Sequence, residues 1–191
     1  MSILGFRAIV LAGALCCSSL PGVALAAKEV SSGVTREYDL KAAFLFNFAR
    51  YVEWPKEAFL SETAPVMIGI LGEDPFRRSL DDIVANESVG GRKLVVRRFA
   101  SIEQLEPCQI LFVSASHAKR LDQVLAKLGK KSVLTVGDSE GFTEHAGMIG
   151  FEMARNRLKL RINLPVARAA GLTISSQLLR QATIVGSEAG K

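Results

Sequence analysis

Short apolar runs in the middle of the chain alternate with helical patterns, and this alternation predicts a parallel β-sheet. The apolar runs span residues 66–71, 94–99, 110–114 and 133–136, and the helical patterns between them span residues 74–85, 101–105 and 117–128. Strands that are apolar along most of their length are typical of a sheet covered by helices on both faces.

A longer helix is predicted ahead of these strands. Thr35 is a suitable N-cap, and apolar side chains then recur every three or four residues from Leu40 to Val52. We expect the helix to end near Trp54, because Pro55 cannot continue it and disfavours helical geometry in the residue before it.

After Gly141 the pattern changes to that of a β-hairpin. Residues 148–153 and 158–164 are predicted strands joined by a turn, and the second strand alternates apolar and polar side chains, so that one of its faces is wet. Short helices are expected at 165–170 and from Ser175 or Ser176 onward. The sequence thus predicts a three-layer α/β fold, with a mostly parallel sheet flanked by helices and a C-terminal antiparallel β-hairpin.

The first residues have the layout of a secretory signal peptide. Arg7 is followed by an uncharged apolar run, then by the helix-breaking pair Pro21-Gly22 and by an A-x-A site at 24–26. The run is shorter than the roughly 20 residues of a membrane-spanning helix. Cleavage after this site is the prediction, and an uncleaved anchor helix or lipidation at one of the nearby cysteines are the alternatives.

These boundaries predict one exported domain. The signal peptide is assigned to residues 1–26, a loose lead-in to 27–37, the periplasmic domain to 38–186 and a tail to 187–191. Cleavage would leave about 165 residues, enough for one domain with a sizeable core.

Charge gives little support for a nucleic-acid partner. The chain has 24 Lys and Arg residues against 19 Asp and Glu, and its densest basic cluster, Lys93, Arg97 and Arg98, lies on a predicted strand. A solvated strand face explains that cluster, and export separates the protein from nucleic acid. We expect no nucleic-acid partner.

Motifs for catalysis or metal binding are weak in this sequence. Residues 137–141 (GDSEG) fit the spacing G-x-S-x-G, but the residue types in this loop do not specify a reaction; no Walker loop occurs, and His117 and His145 lack the spacing of paired metal ligands. We therefore predict no catalytic residue, no metal and no cofactor. An unrecognised hydrolase is the remaining enzymatic alternative, and it would need a nucleophile and base that the sequence does not pair.

The predicted mature chain keeps a single thiol. Cys108 comes directly before the apolar run at 110–113, where a buried structural cysteine is expected. An intermolecular disulfide is the alternative.

Two sets of residues are candidate binding positions. Gly72 and Asp138 follow predicted parallel strands, and ligands of open α/β sheets bind outside the carboxyl ends of such strands. Arg161, Arg168 and Arg180 are candidates for partner binding if the last strand and helices bring them together, because arginine is enriched at interfaces. The alternative is that these arginines are solvated and paired with acidic neighbours.

Several blocks, taken in order, resemble the YfiR family of periplasmic regulators. Residues 41–55 (KAAFLFNFARYVEWP) resemble its opening signature, and 68–72, 108–114 and 133–138 resemble its strands. Residues 147–151 and 161–164 resemble its closing hairpin, and 172–180 its last helix. The resemblance spans roughly residues 38 to 185.

The resemblance implies a regulator that binds the periplasmic sensor domain of an inner-membrane diguanylate cyclase and keeps it inactive, which would control cyclic di-GMP and biofilm growth. It also implies release through an outer-membrane lipoprotein. Some relatives are attached to sensor kinases, so a kinase partner or a small-ligand sensor is the alternative. The family's well-studied member has disulfides, which a lone Cys108 cannot form internally. A homodimer through the exposed hairpin edge is a further candidate.

The signal-peptide assignment predicts the N-terminus of the exported protein. Intact-mass and N-terminal peptide analysis of protein purified from the periplasm should give a chain that begins at Ala27. A chain that starts at Met1, or one that carries lipid on Cys16 or Cys17, would contradict the assignment.

Overall fold

An eight-stranded sheet forms the middle layer of the domain. The computed structural model describes residues 22–155 and 157–186, so most of the predicted signal peptide and the predicted tail lie outside the described residues. The strands are β1 Val52–Glu53, β2 Val66–Leu71, β3 Ser88–Val89, β4 Arg92–Phe99, β5 Ile110–Val113, β6 Leu134–Gly137, β7 Ile149–Ala154, β8 Arg157–Asn163, β9 Thr173–Ile174 and β10 Ala182–Val185.

The sheet order is β10-β8-β7-β6-β5-β2-β4-β3, and β1 pairs separately with β9. Strands β4, β2, β5, β6 and β7 run parallel to one another, whereas β8 is antiparallel to β7 and β3 is antiparallel to β4. The predicted mostly parallel sheet with a C-terminal hairpin is therefore confirmed. Strand β10 pairs in parallel with β8 and forms one edge. This strand was not predicted.

Helices cover both faces of the sheet. They are α1 Gly22–Tyr51, α2 Ser79–Val84, α3 Leu121–Leu128, α4 Leu164–Ala169 and α5 Ser176–Leu179, with 3-10 turns at Lys56–Ala58, Ile102–Gln104 and Ala115–Arg120. Helices α1, α2, α4 and α5 contribute to the core on one face, and α3 packs on the other.

The predicted start of the first helix at Thr35 is wrong, because α1 begins at Gly22 and includes the residues assigned to a loose lead-in. Alanines at 24, 26 and 27 and the following Lys28-Glu29 pair favour helix. They continue the helical pattern through the less favourable stretch that includes Gly33, where the sequence had suggested a break. The C-terminal end of α1 is near the predicted position, since Tyr51 precedes Trp54 and Pro55 by three and four residues.

The core is divided by the sheet into two apolar clusters. On one face, Leu45 and Phe48 of α1 pack with Ile68, Ile70 and Phe112, all of them fully or almost fully buried. On the other face, Leu71 and Leu111 pack with Val124 of α3. The alternation of side chains along β2 and β5 supplies both clusters, and a fully buried Leu, Ile or Phe contributes about 1.5–3 kcal/mol.

The loop between β6 and β7 is held by one aromatic ring. Phe142 is 2% exposed and packs between two glycines. A Cβ on Gly137 would lie 2.5 Å from the ring, and a Cβ on Gly147 would lie 2.3 Å from it and 2.6 Å from the carbonyl oxygen of Phe142. The two glycines therefore provide the space that lets Phe142 anchor the loop.

We predict that Gly147→Ala lowers the free energy of unfolding by about 1–3 kcal/mol, since the new methyl group overpacks the space taken by the Phe142 ring. Urea denaturation followed by circular dichroism measures the change. Gly33→Ala in α1 is the matched control, because nothing lies within 4 Å of the position of its Cβ. Equal stabilities for the two variants would contradict the role of Phe142.

Candidate functional site

The carboxyl edge of the parallel strands is the edge at which α/β sheets bind their ligands. Strand β2 lies between β4 and β5, so the direction of the strand order reverses between β2 and β5. The loops after β2, β5 and β6 meet at this edge, and two of them contain Gly72 and Asp138. Strand β5 lies between the strands that precede these two residues, so the structure does not place them in adjacent loops.

The space beside Gly72 is occupied by side chains of the next loop. Gly72 has a φ of +93°, and a Cβ there would lie 2.3 Å from Ser116 Oγ and 2.5 Å from His117 Nδ1. The backbone N–H of Glu73 donates to Ser116 Oγ at 3.1 Å. Gly72 thus lets two loops pack closely at the point where the strand order reverses.

Asp138 is bonded to the first helix. Its Oδ2 accepts from the Tyr38 hydroxyl at 2.9 Å and from Lys41 Nζ at 2.6 Å. The Lys41 side chain is 3% exposed and that of Asp138 is 7% exposed, and Glu37 provides a second carboxylate 2.5 Å from Lys41 Nζ. Asp138 therefore joins β6 to α1 through a buried ion pair between residues 97 positions apart.

Tyr38 completes this cluster. Its ring packs edge-on against Phe76 at 5.7 Å, and Lys41 Nζ lies 4.3 Å from the ring centroid. Burial, and then the negative charge of Asp138, raise the pKa of the Tyr38 hydroxyl above its usual range. The hydroxyl therefore stays protonated at neutral pH and donates a hydrogen bond to the Asp138 carboxylate.

The sequence analysis missed Lys41 and Tyr38, although a signal was present. Lys41 lies four and seven positions before Leu45 and Phe48, on the same stripe of the helix. A charged residue within an apolar stripe indicates a buried partner of opposite charge. Which carboxylate pairs with it depends on the fold.

An open groove of ≈ 580 Å³ lies beside this cluster, between the loop after β6 and the hairpin. Arg161 lines it and pairs with Glu144 at 2.5 Å and with Glu152 at 3.7 Å. The Nε of Arg161 is buried and has no hydrogen-bond partner among the described residues. The groove therefore combines acidic side chains with one arginine whose hydrogen-bonding capacity is partly unused.

The three predicted arginines lie on different parts of the surface. Arg161 alternates with Leu160 and Ile162, which belong to the core on the α1 face, so it points to the opposite face of the sheet. Arg168 and Arg180 are exposed, on α4 and just after α5, which pack on the α1 face. Because Arg161 lies on the face opposite to Arg168 and Arg180, the structure does not bring the three together.

Cys108 is 4% exposed, and burial raises the pKa of its thiol to about 12. The thiol is thus protonated at neutral pH and shielded from solvent. Within residues 22–155 and 157–186, no group of three His, Cys, Asp or Glu side chains is arranged to hold a metal ion. In the same part of the chain no helix is both long and apolar enough to cross a membrane.

The protein is a three-layer α/β domain. Its first helix is joined to the carboxyl edge of the sheet by the bonds of Tyr38 and Lys41 to Asp138. The sequence pattern of the YfiR/HmsC-like family matches residues 38–183, which cover Tyr38, Lys41 and Asp138. The chain belongs to the YfiR/HmsC-like family, whose members are periplasmic and regulatory rather than catalytic.

Other comparisons show little beyond the family. No curated protein matches the chain. Among solved structures, the ABC domain in complex with L-Trp from Streptococcus pneumonia is 12% identical, with a TM-score of 0.48, 63% of this chain covered and 55% of that chain. A conserved domain protein from Vibrio cholerae O1 biovar El Tor is 14% identical, with a TM-score of 0.46 and coverages of 62% and 54%. The chain thus spans about half the length of these two structures.

We predict that Lys41→Met lowers the free energy of unfolding by about 3–5 kcal/mol, because it leaves the Asp138 carboxylate buried without its partner. Urea denaturation measures this change. The matched control is Arg120→Met, which removes an exposed arginine 3.8 Å from Glu103 and is expected to leave stability unchanged. A loss for Lys41→Met no larger than that of the control would show that the pair does not hold α1 to the sheet.

Proposed function

We propose that the protein binds the periplasmic sensor domain of an inner-membrane diguanylate cyclase and represses it. The observation that carries this proposal is the family match over residues 38–183, almost the whole described domain. In this proposal the repressor lowers cyclic di-GMP and biofilm formation, and an outer-membrane lipoprotein releases the cyclase by sequestering the repressor.

Repression of this kind is a linkage between binding and conformation. The domain must bind the inactive state of the cyclase more tightly than the active state, since only that difference shifts the equilibrium. A tenfold difference in affinity corresponds to about 1.4 kcal/mol. The domain itself needs no catalytic group for this role, and its rigid α/β core provides a fixed surface for binding.

The proposal predicts that deleting the gene raises intracellular cyclic di-GMP and that the exported wild-type protein restores the original level. Mass spectrometry of nucleotide extracts measures the change. Pull-down of the mature domain from solubilised inner membrane should capture a membrane protein that carries a cyclase domain.

Unchanged cyclic di-GMP after deletion, together with no captured cyclase, would contradict repression. Capture of a sensor kinase instead would move the function to the kinase alternative. Lys41→Met is unsuitable here, because its expected loss of stability would itself abolish binding.

A second candidate function is a small-ligand sensor, and the groove that Arg161 lines is the observation that favours it. A ligand bound there would contact the hairpin and the loop after β6, both close to the Lys41–Asp138 pair. Thermal denaturation with added nucleotides and amino acids tests for such a ligand, since binding to the native state raises the melting temperature. Arg161→Met should abolish any shift.

A further inference from the structure

Two segments project past the carboxyl edge of the sheet on the same side of the domain. Helix α1 runs antiparallel to the central strands, because Lys41 contacts Asp138 at the carboxyl edge while Trp54 Nε1 donates to the Gln109 carbonyl at the other edge. The helix before Lys41 therefore extends away from the sheet. In an exported chain that begins at Ala27, the distance from Ala27 to Arg36 alone is roughly 14 Å at 1.5 Å per residue.

The hairpin is the second projecting segment. Strand β7 pairs with β6 only at Ile149 and Gly150, whereas its pairing with β8 continues to Ala154. Beyond the pair of Phe151 and Leu160, the two strands of the hairpin have only each other as partners. The hairpin tip therefore rises past the edge beside the projecting part of α1.

An apolar strip joins α1 to the hairpin and becomes exposed towards the tip. Phe44 of α1 lies 6.1 Å from Phe151 of β7, measured between ring centroids. Four residues back along the helix is Leu40, and two residues on along the strand is Met153. These steps measure about 6 Å in a helix and about 6.7 Å in a strand, so Leu40 and Met153 both lie beyond this aromatic pair, towards the hairpin tip.

This end of the strip is half open to solvent. Leu40 is 47% exposed and Met153 is 46% exposed, and Met153 is paired across the hairpin with the partly buried Leu158. These are two of the three large apolar side chains that are most exposed among the described residues; the third, Leu60, lies elsewhere. Half-exposed apolar side chains grouped between two projecting elements are typical of an interaction surface.

Positive charge lies at both ends of the strip, although Arg157 alternates with Leu158 and therefore points to the opposite face of the hairpin. Arg36 lies one helical turn before Leu40, and Arg155 and Arg157 are at the hairpin turn. All three are exposed, and in the described part of the chain none of them has an ion-pair partner. Of the two acidic residues beside Leu40 on α1, Glu37 is paired with Lys41, and Asp39 accepts a hydrogen bond from the Ser79 hydroxyl.

We infer that this surface, the notch formed by Leu40, Met153 and Leu158 with Arg36 on α1 and Arg155 at the hairpin turn, docks an acidic amphipathic segment of the membrane partner. The inference rests on the proposed function and names the surface that carries it. An apolar side chain of the partner segment packs on the strip, and flanking carboxylates pair with the arginines.

The charges favour such a partner over a second copy of this chain. Two copies that met at the notch around a twofold axis would bring Arg36 and Arg155 of both copies together, and like charges facing each other oppose association. Three half-exposed side chains also bury far less than the roughly 800 Å² per partner of a standard interface. The notch is therefore suited to a segment that fits between helix and hairpin and carries negative charge.

The test compares two double charge reversals that change the net charge equally. Arg36→Glu/Arg155→Glu alters the notch, and Lys130→Glu/Lys131→Glu alters an exposed lysine pair that follows α3 at the other edge of the sheet. Each variant is exported in the deletion strain. The readouts are pull-down of the cyclase, cyclic di-GMP level and thermal melting of the purified protein.

We expect the arginine variant to bind the cyclase at least tenfold more weakly and to leave cyclic di-GMP at the level of the deletion strain, with unchanged melting. The lysine variant should repress like wild type. Met153→Ser should also weaken binding, and Leu60→Ser should not. A photo-crosslinking residue at position 153 should attach to an acidic segment of the cyclase, whereas the same residue at position 60 should not.

The outcomes separate this inference from the proposed function. If the wild-type protein neither captures a cyclase nor lowers cyclic di-GMP, the proposed function fails. If wild type does both and the arginine variant binds within twofold of it, the notch is overturned as the docking site while the function stands. If the arginine variant loses only binding to anionic vesicles, or only self-association in size-exclusion chromatography, the notch faces lipid or a second copy and the inference is likewise overturned.

Discussion

The position of α1 across the sheet is the constraint on which the rest of the domain depends. The helix contributes Leu45, Phe48 and Ala42 to the larger apolar cluster, and polar bonds to the sheet flank this apolar face, at Lys41 before it and at Trp54 just after the helix. At the carboxyl edge the bond is the buried pair of Lys41 and Asp138. At the opposite edge the Trp54 indole donates to the Gln109 carbonyl, and the Gln109 side chain in turn accepts from the backbone N–H of Met67 at 2.8 Å and donates to the Ala58 carbonyl at 2.7 Å.

Polar bonds at the ends of an apolar helix face set its register as well as its stability. Apolar packing alone tolerates small sliding of a helix, whereas an ion pair buried at 2.6 Å does not, because each unpaired charge would be left without water. The fixed register aligns Phe44 with Phe151 and hence sets where Leu40 and Met153 lie beyond this pair. The surface at which we infer that the partner binds is therefore positioned by the Lys41–Asp138 and Trp54–Gln109 bonds that fix α1 on the sheet.

The sequence analysis predicted most of the helices and strands, but fewer of the residues at which they begin and end. Continuous apolar runs identified the central strands, because a strand that is buried on both faces is apolar along most of its length. Strand β10 was missed because its four residues, Ala182 to Val185, lack alternation and form a strand only by pairing with β8. The start of α1 was misplaced because Gly33 and its neighbours weaken a helix locally but do not end it.

The candidate site was harder to predict than the fold. Asp138 was selected for its position after a strand, and that position is right, but its role depends on Lys41, which is 97 residues away. The three arginines could not be located from sequence, since one residue of register decides which face of β8 carries Arg161. The resemblance over the whole domain was enough to predict the family. Which exposed residues lie near one another could be seen only in the fold.

The distance along the chain between α1 and its partners has a consequence for biosynthesis. The helix leaves the ribosome first, yet Phe151 of β7, against which both Phe44 and Phe48 pack, is synthesised about 100 residues later. During that interval the rings of Phe44 and Phe48 lack this partner. A nascent chain of this kind should therefore depend on a chaperone that shields an amphipathic helix until the hairpin has been made.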